Sequence, residues 1–312
     1  MTRGYSILAI GVIALILLPY VGDNYHVRTA TFVCLYAGLA LSWNFIGGYV
    51  GYPSFATAAF YGLGAYTGAL CQRAGIPMPV AWLYATLLVG VFSLLLGYAV
   101  LRLRGHYFAI GSFATVELLR LIISSWSDFT GGGDGLNVPI FPGGPEVVGQ
   151  IFLYIMLAVA LVVFAVTVAV DRSRLGFGFR CIHQNEDAAD MVGIDTTRYK
   201  IIAFGLSAMF CGTLGAIYAS WTNYIDPNDS FDVLLTLKVP VMAMLGGVGT
   251  IFGPIVGAAS FVVMEEFIWA QFLEYNRAIL GLVIVILIFF LPGGLLKLPF
   301  RRFFPGAGKG EG

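Results

Sequence analysis

Charged side chains are scarce in this sequence. Of its 312 residues, 11% are Asp, Glu, Lys or Arg, whereas soluble domains carry about a quarter. Hydrophobic residues make up 59% of the chain, and the mean hydropathy is +0.87. A soluble fold of this length has too little interior to hide that much apolar surface, which excludes the soluble globular class. Lipid solvates apolar faces directly, so the composition predicts a protein embedded in a membrane, and the length of the apolar segments described below predicts that it is all-α.

An excess of positive charge is missing too. The chain has 17 Lys and Arg against 17 Asp and Glu, and its isoelectric point is about 6.8. A nucleic-acid binder needs a basic field, so we expect no nucleic-acid partner. The four cysteines have no CxxC spacing, and the three histidines are too far apart to form a metal-ligand motif. These absences argue against a disulfide framework, and we predict neither a metal site nor a cofactor.

Motifs for phosphate binding and hydrolysis are also absent. The sequence has no GxxxxGK[ST] loop, no GxSxG and no HExxH. We therefore expect neither an ATPase site in this chain nor catalytic residues. A membrane-embedded enzyme is the alternative from another class. It would need histidines and acids clustered at a cavity, and three distant histidines give that alternative little support.

What the sequence does contain is a series of ten apolar segments long enough to cross or enter a bilayer. They lie at about 5–21, 29–47, 54–72, 80–101, 107–125, 149–170, 198–222, 232–248, 252–272 and 277–291. The stretches at 54–72 and 232–257 are rich in small residues and are expected either to span or to re-enter. No small-x-small cleavage site follows the first segment, so we expect an uncleaved span rather than a signal peptide.

Lysine and arginine are distributed unevenly between the connecting segments. With a cytoplasmic N-terminus and ten crossings, twelve of them fall inside, three outside and two within the segments. This bias follows the positive-inside rule and predicts an even number of crossings with both termini in the cytoplasm. The loop at 126–148 is then expected outside.

Two glycine-rich stretches resemble each other faintly. "FIGGYVGYPSFATAAFYGLGAY" in the first half and "MLGGVGTIFGPIVGAAS" in the second each have a glycine pair, a break and a small-residue helix. Paired interrupted segments are typical of transporters and predict a two-half internal repeat. Close helix packing, which membrane bundles use generally, explains the same glycines. The pathway or gate candidates in these stretches are Asn44, Gly47, Gly48, Gly246 and Gly247.

Three charged residues inside apolar segments complete this candidate set. Intramembrane charges are costly and often functional. Glu117 and Arg120 are one helical turn apart, so they either form a gate pair or neutralise each other locally. Lys238 either lines a pathway or extends to the outer surface, and we favour the second interpretation.

A polar insert, "NEDAADMVGIDTTRYK", begins at Asn185 within this apolar chain. Asn185 is a good N-cap, two acids follow in the first turn, and Gly193 suits the left-handed residue after a helix. A helix this short is unstable alone, so it should dock on its own chain or in a groove of another subunit. The predicted helix rests on Asn185, Glu186, Asp187, Ala188, Ala189 and Gly193, with Arg180 and Arg198 at its flanks.

The stretch "SRLGFGFRCIHQNEDAADMVGIDTTRYK" resembles the cytoplasmic loop of the branched-chain amino-acid ABC-transporter permeases. Further stretches fit the same family in order: "LSWNFIGGYVGYPSFATAAFYGLGAYTGAL", "LRLRGHYFAIGSFATVELLR", "TGGGDGL", "LGGVGTIFGPIVGA" and "FLPGGLLKL". The resemblance covers nearly the whole chain. The second and third of these stretches are similar to the larger, M-type subunit rather than to its H-type partner.

This resemblance implies an ABC importer permease fold, with one membrane permease domain over 1–312 and a cytoplasmic coupling-helix loop at 171–197. It implies a second, H-type permease subunit, two cytoplasmic ATPases that hydrolyse ATP, and a periplasmic binding protein. The expected location is the lipid of the bacterial inner membrane. This chain would supply half of the pathway and one coupling helix.

The sequence departs from the family at one place, because "HQNED" stands where a more acidic run is usual. The departure leaves coupling in place as an expectation and changes the surface that meets the partner. The implied substrate is leucine, isoleucine, valine or a relative. Relatives in the same family carry urea, amides or aromatic acids, which stay open as alternatives. An ion-driven secondary transporter is a further alternative.

Overall fold

Long apolar helices make up most of the chain that the computed structural model describes, namely residues 2–271 with residues 281, 282 and 285. In chain order, the helices of the first half are α1 (Thr2–Val21), α2 (Asn24–Trp43), α3 (Thr57–Arg73), α4 (Met78–Val100) and α5 (His106–Ser125). Then come α6 (Ser127–Thr130), α7 (Pro145–Asp171), α8 (Arg174–Gln184), α9 (Glu186–Met191), α10 (Thr196–Thr222), α11 (Pro227–Ser230), α12 (Val233–Gly246) and α13 (Gly253–Gln271). A π-helix (Asn44–Val50) continues α2, and a short 3₁₀ turn occupies Gly132–Asp134.

Each of the first nine predicted apolar segments coincides with a helix, and the tenth, at 277–291, lies outside the described residues except for 281, 282 and 285. Among the described residues, six helical stretches are long and apolar enough to cross a membrane: α2 with the π-helix, α4, α5, α7, α10 and α13. The prediction of an all-α, multi-pass membrane protein is therefore confirmed. The count of ten is not, because α3 has 17 residues, α12 has 14, and the apolar part of α1 is also short.

Helix α10 forms the centre of the bundle, with α3, α4 and α2 packed around it. Glycines permit this approach: a β-carbon on Gly64 would overlap the carbonyl oxygen of Gly212, and one on Gly215 would overlap that of Tyr61. Small residues are the usual contact surface in lipid, where apolar area alone gives helices no reason to associate. The close α3–α10 contact is therefore fixed by glycine rather than by large side chains.

Polar side chains also join α10 to α3 and to α4. The Ser220 hydroxyl on α10 accepts hydrogen bonds from Gln72 Nε2 on α3 at 2.8 Å and from Trp82 Nε1 on α4 at 2.9 Å. Thr86 and Thr213 are hydrogen-bonded through their hydroxyls at 2.7 Å. Such interhelical bonds add modestly to membrane-protein stability, and here they fix the rotation of α10.

One small antiparallel pair connects two distant loops. Strand β1 (Leu136–Asn137) pairs with β2 (Tyr224–Ile225), and the Val138 amide donates to the Asn223 carbonyl at 2.9 Å. The Tyr224 hydroxyl also donates to the Asp134 carbonyl at 3.0 Å. The glycine-rich loop after α5 is thereby tied to the loop after α10.

Candidate functional site

Two helices, α8 and α9, form a hairpin between α7 and α10. Ser173 caps α8 by accepting from the Leu175 amide at 3.2 Å. Asn185 ends α8 in an extended conformation and caps α9, because its Oδ1 accepts from the Ala188 amide at 3.0 Å. The predicted N-cap role of Asn185 is present in the structure. The hairpin's tight corner follows from this single residue, which serves both helices.

The end of α9 is equally well defined. Gly193 has φ +86°, the left-handed conformation expected for it. Its amide donates to the Asp190 carbonyl at 3.0 Å, and the Ile194 amide donates to the Ala189 carbonyl at 3.1 Å. These two bonds form a Schellman motif, which satisfies carbonyls that the helix end leaves free. The six-residue helix is thus closed at both ends by hydrogen bonds rather than by packing alone.

The hairpin buries one face and exposes another. Ala189 is 2% exposed and packs against its own chain, so it supports the hairpin rather than presenting a surface to a partner. Ala188 and Asp187 are exposed. The exposed apolar residues at the C-terminal end of α9, which we call the tip of the hairpin, are Met191 at 85% and Val192 at 75%. The exposed apolar surface of α9 therefore consists of Met191 and Val192, which the sequence did not single out.

Glu186 connects the hairpin to the rest of the bundle. Lys200 on α10 donates to Glu186 Oε1 at 2.6 Å, and the Tyr52 hydroxyl donates to Glu186 Oε2. Lys200 Nζ also lies 3.3 Å from the Tyr52 oxygen. The side chain of Lys200 is only 5% exposed. Arg104 approaches the same carboxylate at 3.9 Å and bonds Asp187 at 3.0 Å.

The protonation of Glu186 follows from these contacts. Burial alone would raise its pKa, but the hydrogen bonds from Lys200 and Tyr52, together with the charges of Lys200 and Arg104, lower the pKa below its ordinary value. Glu186 is thus a charged carboxylate at neutral pH. The arrangement is an ion pair that holds the start of α9 against the first turn of α10.

The two flanking arginines do not reach each other or the hairpin tip. Arg180 bonds Asp171 at 2.7 Å and so joins α8 to the end of α7. Arg198 pairs with Asp195 within the first turn of α10 at 2.7 Å and is largely exposed. Asp195 is also the N-cap of α10. Arg180 therefore fixes the base of the hairpin, and Arg198 stays available at the surface.

The first glycine-rich stretch interrupts helical geometry, as we expected. After the π-helix, Gly51 has φ +84° and residues 51–56 are not helical. Asn44 is fully buried; it donates to the Thr250 carbonyl at 3.0 Å and accepts from the Gly249 amide at 2.9 Å. A β-carbon on Gly48 would overlap Asn44 Oδ1. Asn44 thus satisfies backbone groups of the second glycine-rich stretch rather than of its own.

The neighbouring glycines are just as constrained. A β-carbon on Gly47 would overlap the Trp43 ring, and one on Gly246 would overlap the Gly253 carbonyl. Gly247 has φ +129°, where side-chain-bearing residues are strained. The two predicted stretches therefore meet each other through Asn44, which the sequence pattern alone did not indicate.

The intramembrane charges form pairs. Glu117 and Arg120 bond locally at 2.5 Å, and Arg120 also donates to Asn228 at 3.0 Å. Lys238 bonds Glu265 on α13 at 2.5 Å and is mostly buried. Our expectation that Lys238 extends to the surface is therefore wrong, because an acid one helix away provides a closer partner.

Lys238 nevertheless lines a cavity of about 380 Å³ between α2, α3, α10 and α12. Tyrosines and acids share this lining, among them Tyr36, Tyr61 and Asp232. A mixed lining of this kind suits a polar solute better than lipid. The cavity leaves Lys238 in place as a pathway candidate.

Helical architecture, charged pairs inside the bundle and a capped hairpin between two spans together define a multi-pass helical membrane protein. The model of the family described as branched-chain amino acid transport system / permease component matches residues 25–288. The chain belongs to this family.

Individual relatives agree with the family match. The high-affinity branched-chain amino acid transport system permease protein LivM of Salmonella typhimurium is 30% identical over 94% of this chain and 75% of its own length. LivM of Escherichia coli K12 gives the same figures. LivH of E. coli K12, the permease protein named as part of the same kind of system, is 23% identical over 85% of this chain and 92% of its own length. No solved structure matches the chain.

Proposed function

We propose that this chain is the M-type permease subunit of an ATP-driven importer for branched-chain or related amino acids. The proposal includes a single permease domain over 1–312, which forms half of the translocation pathway beside an H-type subunit. Relatives named LivM and LivH support a pair of related permeases. Two ATPases and a periplasmic binding protein complete the proposed complex.

The observation that carries the coupling role is the exposed tip of the hairpin. Met191 and Val192 are apolar, highly exposed and fixed by a helix capped at both ends. A rigid apolar tip beside an acidic face fits a groove on another protein, because it loses little conformational entropy on docking. We propose that this groove belongs to a cytoplasmic ATPase, and that residues 171–197 form the coupling loop.

The orientation and the number of crossings belong to the same proposal. The cation bias supports an inner-membrane chain with cytoplasmic termini, ten crossing or re-entrant segments and a two-half repeat. The hydrogen bonds from Asn44 to the second glycine-rich stretch support treating these pathway candidates as one group. Lys238 and its cavity extend this candidate pathway, and Glu117 stays a gate candidate.

The test replaces the tip by acids in the complete importer. Met191→Asp with Val192→Asp should remove the ATPase subunits on purification and abolish ATP-driven uptake of labelled leucine. Ile140→Asp is the matched control, since Ile140 is 76% exposed in the loop before α7, which we place outside. Single cysteines at 185–190 should react with an impermeant thiol reagent only from the cytoplasmic side. Full ATPase retention in the tip variant, or labelling from outside, would contradict the proposal.

A further inference from the structure

The π-helix over Asn44–Val50 is the least regular part of a membrane-spanning element. π-Helices are rare in proteins and occur frequently at functional sites. All seven of its residues are buried. Its ends, however, are held by side-chain contacts to two quite different parts of the chain.

One end of the π-helix is connected to the hairpin by hydrogen bonds of Tyr52. The Tyr52 amide donates to the Ile46 carbonyl at 3.0 Å, so Tyr52 closes onto the π-helix directly. Its hydroxyl bonds Glu186 of α9 and lies near Lys200 of α10. A β-carbon on Gly51 would overlap the imidazole of His183, so α8 also lies against this end.

The buried charge makes this fastening difficult to break. Lys200 is almost fully buried, and a buried ammonium without its carboxylate carries a large desolvation cost. If the hairpin moved away from α10 alone, Lys200 would lose Glu186. The lower-cost movement carries Lys200, Glu186 and Tyr52 together, and with Tyr52 the end of the π-helix.

The other end of the π-helix is fastened to the loop between α12 and α13. Asn44 bonds the backbone of Gly249 and Thr250, and no other side chain of the described π-helix residues reaches that loop by a hydrogen bond. Gly249 has φ +72°, and Gly247, two residues earlier, has φ +129°. A displacement of the π-helix therefore reaches a loop whose backbone is already in conformations that only glycine adopts readily.

We propose that Tyr52, held by Glu186 and Lys200, is the positioning residue through which the hairpin moves the π-helix, and that Asn44 passes this movement to the α12–α13 loop. This inference rests on the proposed coupling role of the hairpin. The coupling role alone does not require this route, because α7 and α10 are the helices to which the hairpin is directly linked. In the route proposed here, the hairpin also acts on the π-helix at the end of α2.

The experiment uses the complete importer in proteoliposomes with its binding protein. Tyr52→Phe removes one hydroxyl and keeps the ring, which packs edge-on against Phe108 at 5.2 Å. Tyr49→Phe is the matched control, because the Tyr49 hydroxyl is buried without a partner among the described residues. The readouts are ATPase retention, basal ATP hydrolysis, and the number of substrate molecules transported for each ATP hydrolysed.

We expect Tyr52→Phe to lower transport per ATP about threefold to tenfold, with normal ATPase retention and basal hydrolysis. Tyr49→Phe should match the wild-type chain. Lys200→Arg should retain more coupling than Lys200→Met, since the guanidinium keeps the charge beside Glu186. In the double variant Tyr52→Phe with Asn44→Asp, the loss of transport per ATP should be smaller than the product of the two single-variant losses, because both residues act on one route.

The outcomes separate this inference from the function on which it rests. If the wild-type complex retains no ATPase or shows no ATP-driven uptake, the proposed function is wrong. If the wild type is coupled but Tyr52→Phe transports as much per ATP as Tyr49→Phe, the function stands and the route through Tyr52 is wrong. Fully multiplicative effects of Tyr52→Phe and Asn44→Asp would show that the two ends of the π-helix act independently.

Discussion

The inner and outer helices of this bundle differ in how much of their surface is buried and in which side chains they expose. In the most apolar window of α2 with the π-helix, 83% of the residues are buried, whereas in α4 and α5 the share is 33%. The buried stretch combines large side chains such as Leu39 and Phe45 with small or polar residues such as Gly38, Ser42 and Asn44. Helix α4, in contrast, exposes Leu83, Leu87 and Leu95. Water would penalise exposed leucines in such number, whereas lipid solvates them, and the small residues of the inner helices let their backbones approach closely.

This difference predicts how each region responds to an amino-acid substitution. Inner helices touch backbone to backbone, so added volume has nowhere to go. Outer helices touch lipid, which rearranges around a new side chain. The consequences of substitution should therefore depend on position in the bundle far more than on hydrophobicity.

The largest effect is expected for Gly64→Leu. The new side chain would collide with the backbone of Gly212 and force α3 away from α10, at a cost of about 3 kcal/mol or more. Gly11→Leu in α1 is the control, since no atom lies within 4 Å of a β-carbon there. The measurement is the thermal midpoint of each purified variant and its amount in the membrane. Equal midpoints would remove the distinction between inner and outer helices.

A smaller effect is expected at the hairpin, which belongs to neither region. Gly193→Val adds no clash but strains a left-handed residue by about 1–2 kcal/mol. The strain should loosen the tip and weaken ATPase binding by about fivefold or more while leaving the bundle's thermal midpoint unchanged. Gly133→Val, at an open glycine without a positive φ, provides the comparison. ATPase binding that is equal in both variants would mean that the shape of the tip is unimportant.

The smallest effect is a pH dependence confined to the hairpin. The pKa of Glu186 is lowered in the folded chain, so its contribution is complete above the unfolded pKa of about 4.3 and is lost as pH falls through the lower folded value. Hydrogen exchange of the α9 amides, corrected for intrinsic rates, should accelerate below about pH 4. In Glu186→Gln this acid step should vanish. An unchanged acid step would assign the titration to another group.

Local features of the hairpin could be predicted from the sequence, and its connections could not. Asn185 and Gly193 act on atoms within five residues, so composition and spacing were enough. The Glu186–Lys200 pair bridges two helices, and Tyr52 lies 134 positions before Glu186. Nothing in the spacing of these residues indicates that they meet.

Other misses have similar causes. Helix α8 was not predicted because Gly176 and Gly178 lower helix propensity. In the structure Gly178 leaves room for the Tyr199 ring, so a tertiary contact outweighs the local preference. Lys238 was expected at the surface because Glu265, 27 positions later, could not be placed beside it from the sequence. The resemblance to a family indicated the class of protein and helical spacing indicated the local Glu117–Arg120 pair, whereas the pairs between helices required coordinates.

The contact between α3 and α10 also means that α3 is synthesised well before the helix against which it packs. Helix α3 ends at Arg73 and α10 begins at Thr196, so at about 5–20 residues per second its partner emerges roughly 6–25 s later. Throughout that interval the Gln72 amide has no Ser220 beside it, and the glycine face of α3 has no helix against it. We therefore expect α3 to stay in or near the insertion machinery until α10 arrives. A permuted gene in which α10 is translated directly before α3 would shorten this interval to the time needed for a single helix.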